Sequence, residues 1–185
     1  VGSAVRKVHA RDAEALKKHG IDFNCSLIIG GQIKGETMRL FNVYSAGNFV
    51  EAGIDGVCYF QIGESKYGKP ILDRVLTPTT PLDEAAKCAL VSMDSTLKSN
   101  LSVGLPLDLL VYREGQLRSE DYVCIDDQNP YFRMIHSTWG QRLREVFESI
   151  DDPQWDGSST THPLVTPSTR FELQRKITHP GERIV

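Results

Sequence analysis

Long apolar runs are missing from this chain. The stretch from Leu105 to Tyr112 is among the longest, far short of the roughly 20 residues needed to cross a bilayer. That excludes a spanning helix, and with no signal-peptide pattern at the start it predicts a soluble, cytoplasmic protein with no membrane partner. A surplus of positive charge is missing too. Acidic residues number 24 and basic residues 21, mixed along the chain for a net charge of -3, so no basic field exists to hold a nucleic-acid backbone. Cysteine pairs are absent: Cys25, Cys58, Cys88 and Cys124 stand far apart with no histidine at ligand spacing, and read as reduced, buried, small hydrophobes. His9, His19, His136, His162 and His179 are scattered in the same way and read as solvated. Neither a metal nor a cofactor is implied. No HExxH, no G-x-S-x-G elbow and no Ser-His-Asp arrangement occurs.

What is present fits one globular domain. With 185 residues, 40% hydrophobic and 24% charged, the chain is long enough to bury a core. Val1, Val5, Val8 and Leu16 recur at helical spacing from the first residue, and His19 and Gly20 supply a cationic last turn and a C-cap glycine. A helix already under way at residue 1, with no initiator methionine, predicts a piece of a longer protein.

Short strands follow. Leu27 to Ile29, a turn through Gly30, Gly31 and Gly35, then Met38, Leu40, Val43 and Tyr44 read as a β-hairpin. Phe49 and Val50, a turn at Ile54 to Gly56 and a strand from Val57 to Ile62 continue an antiparallel sheet. A helix is expected from Ser65 to Leu76, irregular at Gly68 to Pro70 because proline fits only a first turn. The next helix takes Thr80 as N-cap and Pro81 at N1 and ends near Lys98, with Leu82, Ala85, Ala86, Ala89, Leu90, Met93 and Leu97 as one apolar stripe. Leu101 to Tyr112 and Gln116 to Ile125 form a second hairpin around Glu114 and Gly115. A final helix follows, with Phe132, Ile135, Trp139, Leu143, Val146 and Ile150 on one side.

Hairpin runs and blocks of helices argue for an α+β fold, and a four-layer αββα sandwich uses all these faces. Residues 1–150 form that domain. Residues 151–185, rich in Pro, Ser and Thr, read as an extended or disordered tail whose last stretch either pairs as a strand or frays.

Two stretches look like sites. "GESKYGKP", Gly63 to Pro70, has the spacing of a phosphate-binding loop, but Pro70 has neither the hydroxyl nor the N–H that the position after the lysine needs, and the antiparallel setting is wrong. "SNLSVG", Ser99 to Gly104, lies where a helix ends and a strand begins. Spacing leaves two readings open: helix termination alone, or hydroxyls turned into a cleft.

"YFQIGESKYGKPILDRVL", "LDEAAKCALVSMDSTLKSNLSVG" and "LPLDLLVY" resemble the bacterial proteasome-type proteases known as Anbu, the ancestral β-subunit family, and more distantly proteasome β subunits and HslV. The resemblance covers about residues 1–150. It implies the αββα fold of N-terminal nucleophile hydrolases, here without its first strands, and a threonine-type endopeptidase. In that chemistry the hydroxyl of an N-terminal threonine attacks the peptide carbonyl and its own α-amino group, with a pKa of about 8, acts as base. Val1 has no hydroxyl, so neither the nucleophile nor its Asp and Lys partners are assigned in this sequence.

The supporting residues do carry over. Where the proteasome pattern reads Asp-x-x-Ser-Gly-Gly, this chain places Ser99 at the acidic position, Ser102 at the serine and Gly104 at the second glycine. Ser99 departs from the pattern, because a neutral hydroxyl holds a charged amine less firmly than a carboxylate does. Ser65 falls where the family keeps a serine near that amine, and Glu64 either supplies the missing carboxylate or favours a helix N-terminus. The resemblance further implies a peptide or unfolded-protein substrate and a homo-oligomeric ring or ring-like spiral assembled through the helical layers. The alternative is a non-catalytic assembly or scaffold subunit that keeps the fold without the chemistry.

Overall fold

The computed structural model describes residues 1–54, 56–119 and 121–153. The expectations for residues 154–185 lie outside them. The chain divides into two units, Val1–Trp139 and Gly140–Val185. Among the described residues the architecture is α+β, with four helices and two small antiparallel sheets.

Helix α1 (Gly2–Lys18) ends as the sequence predicts. Gly20 takes φ +63, its N–H donates to the Lys17 carbonyl at 3.2 Å, and the Ile21 N–H donates to the Leu16 carbonyl at 2.9 Å. These two bonds satisfy carbonyls the helix leaves unpaired, and glycine adopts the left-handed conformation without a Cβ penalty.

Strands β1 (Leu27–Gly31), β2 (Arg39–Val43) and β3 (Phe49–Glu51) form one sheet in that order. Leu27 pairs with Val43, and Val43 with Phe49. The strand expected at residues 57–62 does not form. These residues have no ladder partner among the described residues, and an unpaired segment cannot be a sheet strand whatever its composition.

Helix α2 (Lys69–Val75) starts later than Ser65, with Pro70 in its first turn, where the missing N–H costs no bond. Helix α3 (Leu82–Ser99) starts one residue later than expected. Thr80 does not cap it: its hydroxyl accepts from the Thr77 N–H at 2.9 Å and closes the preceding turn.

Strands β4 (Leu107–Val111) and β5 (Asp121–Ile125) make the second sheet, Leu107 opposite Ile125. Both are shorter than their apolar patterns, and residues 101–106 form a turn and connector instead. Helix α4 (Pro130–Glu148) is preceded by Asn129, whose Oδ1 accepts from the Phe132 N–H at 3.0 Å.

The core joins Leu90 of α3 to Ile125 of β5 and to Phe132 and Ile135 of α4, with Val91, Leu97, Leu107 and Leu109 against it. Burial on α3 is not the single apolar stripe expected. Cys88 and Leu90 are buried, but so are Ser92, Asp94 and Thr96. The helix is covered on two sides, and its small polar residues meet α2 at Gly68, where an added Cβ would stand 2.1 Å from Ser92 Oγ. On α4, Leu143 and Val146 are exposed, unlike Phe132 and Ile135, and Ile150, expected on the same face, lies exposed beyond the helix end. The cysteines also differ from expectation: Cys88 is buried, Cys25 and Cys58 are partly covered, and Cys124 is exposed, all four with free thiols.

Candidate functional site

The end of α3 and the loop before α2 meet through one residue. Asn100 is the C-cap of α3, extended at φ -133 and ψ 111, which turns its side chain away from the helical register. Its Nδ2 donates to Glu64 Oε2 at 2.9 Å. Its Oδ1 accepts from the Ser102 N–H at 2.9 Å and from the Ser102 hydroxyl at 2.8 Å. Glu64 Oε1 in turn accepts from the Lys66 N–H at 3.1 Å, which fixes the loop locally.

The result is a hydrogen-bonded relay from carboxylate to amide to hydroxyl. The Ser102 hydroxyl spends its proton on Asn100, so its lone pairs remain for an incoming donor such as an amine. Glu64, at the far end, polarises the amide and strengthens each link.

Among the sequence-predicted residues, Glu64 and Ser102 are thus brought together. Ser65 lies beside Glu64, half-buried, its carbonyl accepting from the Lys69 N–H at 3.1 Å. Ser99 and Gly104 are exposed, and no hydrogen bond among the described residues joins either to the relay. A Cβ at Gly104 would meet nothing within 4 Å. Asn100 escaped sequence reading, because an asparagine after a helix is ordinarily only a terminator; its role depends on Glu64, 36 residues away.

Ser65 also lines a cavity of about 460 Å³ with Asn42, Tyr59, Gln61, Lys69 and Asp73. There the Tyr59 hydroxyl donates to Asp73 Oδ1. Lys69 Nζ donates to Asp73 Oδ1 at 2.7 Å and to the Tyr59 oxygen at 3.0 Å. Burial first, then the bond to Asp73, pushes the Tyr59 phenol above its ordinary range. Asp73 holds the Lys69 ammonium above its own range and is itself held low by it. Lys69 therefore stays protonated, its ammonium bonded to Asp73 and Tyr59. The side-chain oxygens of Asn42 and Gln61 are buried with no hydrogen-bond donor among the described residues.

His136 is exposed, as its scattered position predicts, but it is also bonded. Its Nδ1 lies 2.6 Å from Oδ1 of Asp94, a carboxylate on α3 only 4% exposed. Among the described residues no group of three or more His, Cys, Asp or Glu side chains is arranged to hold a metal ion. No helix among them is long and apolar enough to cross a membrane.

Solved structures decide the family. Anbu (ancestral beta-subunit) from Yersinia bercovieri is 54% identical over 83% of this chain and 62% of its own, with a TM-score of 0.73. The chain belongs to the Anbu family. Anbu from Hyphomicrobium sp. strain MC1 is 46% identical over 83% of this chain and 61% of its own, TM-score 0.72. The helical assembly of the Anbu complex from Pseudomonas aeruginosa is also 46% identical, over 81% of this chain and 61% of its own, TM-score 0.73. This Anbu chain therefore spans about three fifths of those relatives' length. No protein-family model and no curated protein sequence matches it.

Proposed function

We propose that this Anbu chain is part of a proteasome-type threonine peptidase subunit with the four-layer αββα arrangement, acting on peptide or unfolded-protein substrates as a homo-oligomer. The relay Glu64–Asn100–Ser102 carries the reading, because it presents an acceptor hydroxyl at the position where the family keeps a serine beside the nucleophile's amine.

In this reading the nucleophile is an N-terminal threonine in the remaining length of the protein. Its hydroxyl adds to the substrate carbonyl while its α-amino group, neutral in good part near a pKa of about 8, takes the proton. The protonated amine then gives that proton to the leaving peptide nitrogen, and water cleaves the ester that remains. Ser102 accepts an N–H from the amine, which orients its lone pair and stabilises its cationic form after proton transfer. Glu64 supplies, through Asn100, negative charge that Ser99 does not supply at the acidic position.

A second reading is favoured by Ser99 itself. Its exposed hydroxyl stands where the pattern has a carboxylate, as expected of a scaffold subunit relieved of catalysis. A peptide vinyl sulfone, which captures a nucleophilic threonine, separates the two. In the complete protein it is expected to label one threonine, and Ser102→Ala is expected to slow labelling by roughly tenfold, about 1.4 kcal/mol of lost positioning. No labelling of the unaltered protein favours the scaffold; equal labelling of both forms returns Ser102 to helix termination.

A further inference from the structure

A second cavity, of about 930 Å³, is lined by residues of α3 and α4 together with Leu105 and Asp127. Its walls include Leu97, Phe132 and Met134. Lys98 and Arg133 stand on its lining, and no hydrogen bond or ion pair among the described residues engages either side-chain cation. Asp127 is the one carboxylate there besides Asp94, and Asp94 is already bonded to His136.

That pair is informative. A carboxylate withdrawn from water is costly unless it is paired, yet the partner's side chain is 63% exposed, so the buried group is committed to orienting a surface imidazole. With Nδ1 engaged by Asp94, Nε2 is the ring nitrogen left for a ligand. An apolar pocket with a few convergent polar groups is the usual form of a small-molecule site.

We propose that this cavity binds an amphipathic carboxylate: an apolar chain against Leu97, Phe132 and Met134, with its charged end held by Arg133 and Lys98 beside the oriented His136. Arg133 offers the planar fork that matches a carboxylate; Lys98 adds a point charge. A fatty acid and the free C-terminus of an apolar peptide share this chemistry.

Calorimetric titration of the complete protein with sodium decanoate and with acetyl-Leu-Leu-Leu bearing a free C-terminus distinguishes the sources, and decanol and inorganic phosphate separate tail from charge. One of the two carboxylates is expected to bind at least about tenfold more tightly than decanol and than phosphate, and R133Q is expected to weaken it by roughly tenfold. M134E, which puts a like charge on the wall, is expected to abolish binding. Binding of decanol as tight as of the carboxylates, binding unchanged in R133Q, or no heat from either carboxylate overturns the assignment. Because the readout is binding, a protein without peptidase activity tests it equally well.

Discussion

At the scale of single residues, Asn100 does the connecting. A side-chain amide can donate and accept at once, so it joins a carboxylate to a hydroxyl that would otherwise share no bond. Glu64 and Ser102 were legible because resemblance aligned them; Asn100 was not, because its partners come from two distant segments. Asp94 and His136 were hidden for the same reason, being 42 residues apart on different helices. Thiols give a direct check of residue placement. Cys88 is 4% exposed, and burial pushes its thiol up, so little thiolate forms at neutral pH. Under native conditions iodoacetamide is expected to modify the exposed Cys124 first and Cys88 last, read by peptide mass mapping. Equal rates at both would contradict the burial of this face of α3.

At the scale of elements, α3 is the organising helix. Its apolar residues meet β5 and α4, while Ser92 and Thr96 allow α2 to approach closely. The Thr96 hydroxyl bonds back to the Ser92 carbonyl at 2.9 Å, which hides polar atoms where no water reaches them. A Cβ at residue 68 would lie 2.1 Å from Ser92 Oγ and 3.0 Å from Thr96 Oγ1. Gly68→Ala is therefore expected to cost roughly 1–3 kcal/mol in urea unfolding, partly recovered by Ser92→Ala, which removes the nearest atom. A neutral Gly68→Ala would show that the two helices are not in this contact. Sequence periodicity located α3 to within a residue at each end. It misread the buried faces, because a stripe of alanines and leucines says nothing about a second neighbour that packs on serine and threonine.

At the scale of the whole molecule, apolar surface is plentiful. Phe49, Leu110, Val146 and Phe147 are exposed by 62%, 57%, 58% and 75%. Exposed apolar residues in number mark surfaces that meet something else. On the proposed homo-oligomeric reading, the α4 residues Val146 and Phe147 face another copy. Sedimentation of the complete protein at micromolar concentration is then expected to show species larger than a monomer, and Phe147→Asp is expected to weaken their association by at least about tenfold. Unchanged sedimentation of that variant would move the contact elsewhere.

The α+β class, the antiparallel pairing of β1 with β2, β2 with β3 and β4 with β5, the C-terminal end of α1 and, to within a residue, the span of α3 were determined by the sequence itself, since turn glycines and periodicity act between near neighbours. Tertiary structure alone decided that residues 57–62 have no ladder partner among the described residues, that Asn100 joins Glu64 to Ser102, and that Asp94 bonds His136. Each of these depends on which distant segments come within bonding distance, and a hydrogen bond at 2.6 to 2.9 Å is a fact of three-dimensional position that no local pattern carries.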